Sequence, residues 1–428
     1  MKNKFKIVNI IKTEYPVKKI KLGICIFLTF FVFIFTNSLI NLPIIPNFLS
    51  ILIFPLFFYM VYHIWKFYVL SEQKRKNSIE NLLKYYIKTN NLYTTDSAGF
   101  IINFAIFGFL QDDENITIRA YKQGDNFSDK LNNLDTSLSA LLNLPLENKL
   151  DNISYCDYIF KRNKDNRIVI SNNKLIYNNS TNIPLNNNLS WNIAKQPHLL
   201  LAGVTGGGKT TFINYLIIEM MKMKSDVYIC DPKRSDLASL KNILGSDYVA
   251  SDVNNIAKLT RIVKEVMENR FIEYKENASN FVYGHSFVDY KLKPVFIIFD
   301  ELGAYRASAD KKVFNETMAY LSEIILKGRE MGVFCVLSTQ QPNAQNIPTE
   351  LRDNLSVRLA LGNMSSESYR MVFGDNIKDL HSINTVGSGY IYLDGLGWSK
   401  PKLYEAPFLD YKNYDFIKNL SKYQESKN

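Results

Sequence analysis

The chain has 428 residues and a net charge of +10, from 51 lysines and arginines against 41 aspartates and glutamates. The length allows two or three domains with sizeable cores. Four scattered cysteines without a C-x-x-C pair argue against a disulfide frame or a zinc site. Cys25 falls in an apolar run, and Cys156, Cys230 and Cys335 read as reduced, buried thiols. The charge is local. Seven lysines against Glu14 put +6 on the first 22 residues, leaving +4 for the other 406. Bulk basicity is therefore poor support for nucleic-acid binding.

After this basic tail (1–22) come two apolar stretches, Gly23–Ile40 with no charge and Phe48–Leu70 with only Lys66. Each approaches the roughly 20 apolar residues of a spanning helix. The uncharged linker Asn41–Asn47 carries two prolines, as a tight outer turn would. Lysines crowd the first flank, and Lys66, Lys74, Arg75 and Lys76 lie at or beyond the end of the second. The positive-inside rule then predicts a transmembrane hairpin over 23–70, in the cell membrane, with both termini cytoplasmic. Tyr62, Trp65 and Tyr68 suit the inner interface.

Residues 71–190 read as a small cytoplasmic α+β adaptor. Helices are expected near Ser78–Lys88 and Thr136–Leu144, strands near Ile116–Tyr121 and Arg167–Tyr177, and a buried strand or helix at Phe100–Leu110. Asn-rich turns separate the segments.

From about 191 to 405, strands and helices alternate, which predicts a mostly parallel sheet. The apolar run Leu199–Ala202 enters Gly203-Val204-Thr205-Gly206-Gly207-Gly208-Lys209-Thr210, a complete phosphate-binding loop G-x-x-x-x-G-K-[ST]. A helix leaves it through Thr211. Small residues let backbone N–H groups turn onto phosphate oxygens, and the helix start adds its positive end. Lys209 would reach the β- and γ-phosphates of ATP, and Thr210 would ligate Mg²⁺. A short strand, Asp226–Cys230, ends at Asp231-Pro232-Lys233. A long amphipathic helix is expected at Val253–Ala278. The apolar Val295–Phe299 then runs into Asp300-Glu301, with Asp300 as second Mg²⁺ group and Glu301 as the residue that orients or deprotonates the attacking water. A helix over Lys311–Met331 leads to the strand Val333–Ser338, whose tip presents Gln340 as a γ-phosphate sensor. Residues 406–428 read as a C-terminal tail.

Together these motifs resemble the FtsK/SpoIIIE family of hexameric DNA-pumping ATPases. Pro197-His198-Leu199-Leu200-Leu201-Ala202-Gly203, Asp231-Pro232-Lys233, Phe299-Asp300-Glu301, Thr339-Gln340 and Gly387-Ser388-Gly389-Tyr390 fall in the family's order. The resemblance implies a RecA-like P-loop ATPase fold and a homo-oligomeric ring, with non-sequence-specific DNA as partner. It also implies an arginine reaching a neighbour's ATP, at Arg358, with Arg329 and Arg352 as weaker candidates. Gly207 stands where the family usually has Ser, and Gln341 replaces a common Arg. Only 25 residues follow Leu403, too few for a sequence-reading winged helix. The compact two-span plan is similar to TcpA-like coupling ATPases of Gram-positive conjugative elements, which implies relaxase and secretion-channel partners. Type VII protein-secretion ATPases and chromosome-segregation translocases share the motor and are the alternatives. Basic residues within Ala304–Lys312 could face a DNA channel or simply solvent.

Overall fold

A computed structural model describes residues 5–10, 78–162, 167–171, 180–345, 347–375, 377, 380, 382–383 and 385–426. The predicted spans at 23–40 and 48–70 lie outside them. Among the described residues no helix is long and apolar enough to cross a membrane. The chain divides into two compact units, Met1–Asn163 and Lys164–Asn428.

In the first unit, β1 (Lys6–Ile7), β4 (Ile106–Gln111), β5 (Asn115–Tyr121), β7 (Tyr155–Lys161) and β6 (Leu146–Asp151) form an antiparallel sheet in that order. β2 (Tyr93–Thr95) and β3 (Ile101–Phe104) make a separate hairpin, so Phe100–Leu110 resolves as two strands. Alternation builds the sheet: Ile116, Ile118 and Ala120 of β5 are buried, while Arg119 points to the other face. There Arg119 pairs with Asp157 at 2.7 Å and lies between the rings of Phe5 and Tyr155. Helices α1 (Ile79–Thr89), capped by Ser78, and α2 (Asp135–Leu142) accompany the sheet, and Leu83, Ile87 and Leu138 join Phe107, Ile118 and Tyr158 in one core. The expected α+β character holds for this region.

Among the described residues, the second unit begins with three short strands, β8 (Val169–Ile170), β9 (Asn182–Pro184) and β10 (Ser190–Asn192). Its main sheet has eight strands. Six run parallel, in the order β13 (Val249–Ala250), β12 (Asp226–Cys230), β14 (Val295–Phe299), β15 (Val333–Thr339), β11 (Leu199–Gly203), β16 (Val357–Leu361). Two antiparallel strands, β17 (Ser388–Leu393) and β18 (Lys402–Glu405), close the far edge, so the sheet is mixed, with a parallel core. The central strands are apolar throughout because both faces are covered. Leu199 and Leu201 of β11 face α3 (Lys209–Lys222), whereas Leu200 and Ala202 join the core of α4 (Val253–Phe271) and α6 (Lys311–Met331). The α4 helix ends at Phe271 in a π-turn over 272–276, short of the expected Ala278. Between β14 and α6 lies α5 (Leu302–Ser308), and α7 (Ser366–Phe373) follows β16.

Two domain boundaries differ from the sequence reading. Residues 180–190 pack with the ATPase unit: Ile183 and Leu185 lie in the same core as β11 and α3. The expected tail also carries structure, namely β19 (Phe408–Leu409), paired in parallel with β8, and α8 (Phe416–Glu425), whose Phe416, Leu420 and Tyr423 are buried.

Candidate functional site

Parallel strands deliver their C-terminal tips to one edge of the sheet, where crevices between neighbours take ligands. The tips of β11, β12, β14 and β15 carry the phosphate loop, Asp231, Asp300-Glu301 and Gln340. The structure therefore gathers Lys209, Asp300, Glu301 and Gln340 at one place.

The loop is packed tightly from behind. A Cβ on Gly207 would come within 2.9 Å of the Leu361 carbonyl oxygen, and Gly208, at φ +99°, would meet the Gly387 backbone at the same distance. A serine at position 207 would therefore need a local shift in this chain. The Gly387 N–H donates to the Gly207 carbonyl at 3.0 Å, and Val204 N–H donates to Leu361 at 3.3 Å. Strands β16 and β17 thus fix the loop's shape. Lys209 is 9% exposed and donates to the Gly203 carbonyl at 2.6 Å. Burial pushes its pKa down, opposed by Glu301 and Asp300. Thr210 and Thr211 open the first turn of α3, with Thr210 exposed.

Asp300 continues the β14 ladder by donating its N–H to Cys230 at 2.8 Å. Burial raises its carboxyl pKa, the Asp231 and Glu301 carboxylates add to the rise, and Lys209 opposes it. A partly buried carboxylate and an exposed threonine hydroxyl are hard-oxygen donors of the kind suited to Mg²⁺.

Glu301 is the most constrained group. Its N–H still bonds to Ser338 at 3.0 Å, yet its φ is +59°, left-handed for a residue with a side chain. That turn aims the carboxylate back across the strand tips. It accepts from the Gln340 N–H at 3.1 Å, the Thr339 hydroxyl at 3.2 Å and the Lys233 ammonium at 3.1 Å. Strain held by so many partners is typical of functional sites. The Gln340 side chain is held beside the phosphate loop, since the Thr205 hydroxyl donates to its Oε1 at 3.4 Å.

Lys233 is the functional residue whose role the sequence does not reveal, although Asp231-Pro232-Lys233 marks its position. Asp231, fully buried, accepts from the N–H groups of Lys233, Ser235 and Ala238 and from the Ser235 hydroxyl. It folds the turn that presents Lys233. Arg167 is a second such residue: it donates to the carbonyls of Ala406 and Val386, bracing the segment against the loop.

Arg358 does not join its own chain's site. It pairs in register with Leu200, three residues (about 10 Å at strand spacing) before Leu361. Its side chain is 3.5 Å from Asp394 and lies over the Tyr392 ring. Arg329 donates to Ala194, Arg352 contacts Asp353 and the Met371 carbonyl, and Arg306 reaches Gln345 over the Phe314 ring.

Residues 167–361 match the FtsK/SpoIIIE family. This segment belongs to that family. The chain is 34% identical over 290 residues to the Ftsk domain-containing protein YdcQ of Bacillus subtilis, covering 65% of this chain and 58% of YdcQ. It is 24% identical over 257 residues to the DNA translocase FtsK of Corynebacterium glutamicum, covering 55% and 27% respectively. The chain thus spans a little over half of one curated relative and about a quarter of the other. Among solved structures, the pCW3 conjugation coupling protein TcpA, a monomer form with ATPγS, matches over 78% of this chain and 96% of that one. The TM-score is 0.50 at 17% identity, a likeness of fold. The match begins at residue 167, in agreement with the unit that starts at Lys164.

Proposed function

We propose that the chain is a membrane-anchored ATP-driven DNA translocase, a ring-forming coupling protein that feeds DNA to a conjugative secretion channel. The carrying observation is the convergence of Lys209, Asp300, Glu301 and Gln340 at one sheet edge within an FtsK/SpoIIIE domain. Lys209 and the loop N–H groups bind phosphate, Thr210 and Asp300 hold Mg²⁺, and Glu301 orients the attacking water. Bound Mg²⁺ supplies neutralisation of phosphate charge. DNA, gripped at its phosphates, would be moved with little sequence preference.

Anchoring through spans at 23–40 and 48–70 rests on their apolar length and flanking lysines, and β1 is compatible with it. Residues 6–7, ahead of the first predicted span, pair with β4, beyond the second. In the full chain, ATP hydrolysis should rise with added DNA and vanish in Lys209→Ala and Glu301→Gln. Deleting the gene from its host element should abolish DNA transfer to recipients. Hydrolysis indifferent to DNA, or normal transfer with a protein-secretion defect, would overturn the reading.

A further inference from the structure

A cavity of about 980 Å³ opens at the first turns of α3. Its floor is Thr210, Thr211 and Asn214. One wall includes Asp236 and Ser239, and the other is the segment 411–418. Lys209, Asp300, Glu301 and Gln340 do not line it. Those residues mark where the terminal phosphate lies, so the rest of a nucleotide must leave the loop elsewhere. The helix start, through Thr210 and Thr211, leads into this cavity. Its size suits a small-molecule ligand.

The far wall is anchored on both sides. Leu409 and Tyr414 are buried, while Tyr411 between them is 50% exposed. Asn214, 9% exposed, donates to the Tyr411 hydroxyl at 3.0 Å. A buried amide thereby holds an aromatic ring at the cavity mouth.

We propose that this cavity is the nucleoside subsite, with the Tyr411 ring as the face for the base and Asp236 and Ser239 as acceptors for ribose hydroxyls. The proposal rests on the nucleotide reading of the phosphate loop. It assigns the C-terminal segment a part in ligand binding.

Isothermal titration of the detergent-solubilised full chain with Mg²⁺-ATP and with Mg²⁺-tripolyphosphate tests it, since tripolyphosphate lacks the nucleoside. Base–aromatic stacking predicts that Tyr411→Ala weakens ATP binding roughly ten-fold or more. Tripolyphosphate binding should stay unchanged, and Tyr411→Phe should bind ATP nearly as the native chain does. Native ATP affinity in Tyr411→Ala would overturn the proposal, including when only self-association changes, which would assign the groove to a neighbouring copy. Equal losses for both ligands would overturn it too. If Lys209→Ala binds both ligands as the native chain does, the phosphate-loop reading fails and the subsite falls with it.

Discussion

Glu301 shows how one residue's chemistry is set by neighbours that are remote in sequence. Its left-handed backbone is tolerated because the N–H remains bonded to Ser338, and its carboxylate is held by Gln340, Thr339 and Lys233. The first two come from the tip of β15 and are fixed by the sheet. Lys233 comes from a separate turn, organised by the fully buried Asp231. Its loss would leave the carboxylate in reach of water but less well aimed. Lys233 is thus a positioning residue, and its removal should slow the chemical step more than it weakens binding. Lys233→Met should lower kcat for ATP about ten-fold, a fraction of what a general base contributes, with KM within about two-fold. Lys233→Arg should restore most of the rate. A rise in KM with kcat intact would show instead that Lys233 binds nucleotide.

At the scale of elements, the strands carrying the site were legible because each is a buried apolar run stopped by a polar tip. Asp226–Cys230, Val295–Phe299 and Lys311–Met331 have the bounds that their hydrophobic patterning predicts. β8 falls within the strand expected near Arg167–Tyr177, but its partner β19 is not legible: it has two residues and pairs across almost the whole unit, so it carries no local signal. Lys233 was visible as a motif, but its partner Glu301 lies 68 positions away. His198, just before β11, was likewise read only as part of an approach to the loop. It is wholly buried with φ +62°, and its Nδ1 accepts the Cys335 N–H of β15 at 3.0 Å, joining the two strands where they begin. Burial pushes its pKa down to about 3. Between pH 3 and the unfolded value near 6.5 the unfolded chain binds the extra proton, so stability falls as the pH is lowered through that window. At pH 5 this group should lower unfolding free energy by about 2 kcal/mol relative to pH 7.5. His198→Asn keeps an acceptor and tolerates the left-handed backbone. Denaturant titrations at the two pH values should show the difference shrink by that amount in the variant, and an undiminished difference would remove His198 as its source.

Across the whole molecule, the strand β1 constrains any membrane crossing that the chain makes between residues 11 and 77. Phe5 packs on Arg119, Lys6 pairs with Glu80 at 2.7 Å, and Lys6–Ile7 extend the sheet through β4. Residues on either side of 11–77 therefore belong to one compact unit. Any crossings within 11–77 must then be even in number, because an odd number would put β1 and β4 on opposite sides of the bilayer. Two spans with a short outer linker satisfy this, and a single span does not. Single-cysteine labelling in intact cells with a membrane-impermeant maleimide reads the arrangement directly. Cys156, Cys230 and Cys335 are buried and should contribute little background. Asn47→Cys, in the linker between the predicted spans, should label in intact cells. Asn3→Cys and Ser426→Cys should label only after lysis. Labelling of Asn3→Cys in intact cells, with Ser426→Cys protected, would require an odd number of crossings. That result would be incompatible with the β1–β4 pairing, so one measurement tests both the membrane topology and the sheet that predicts it.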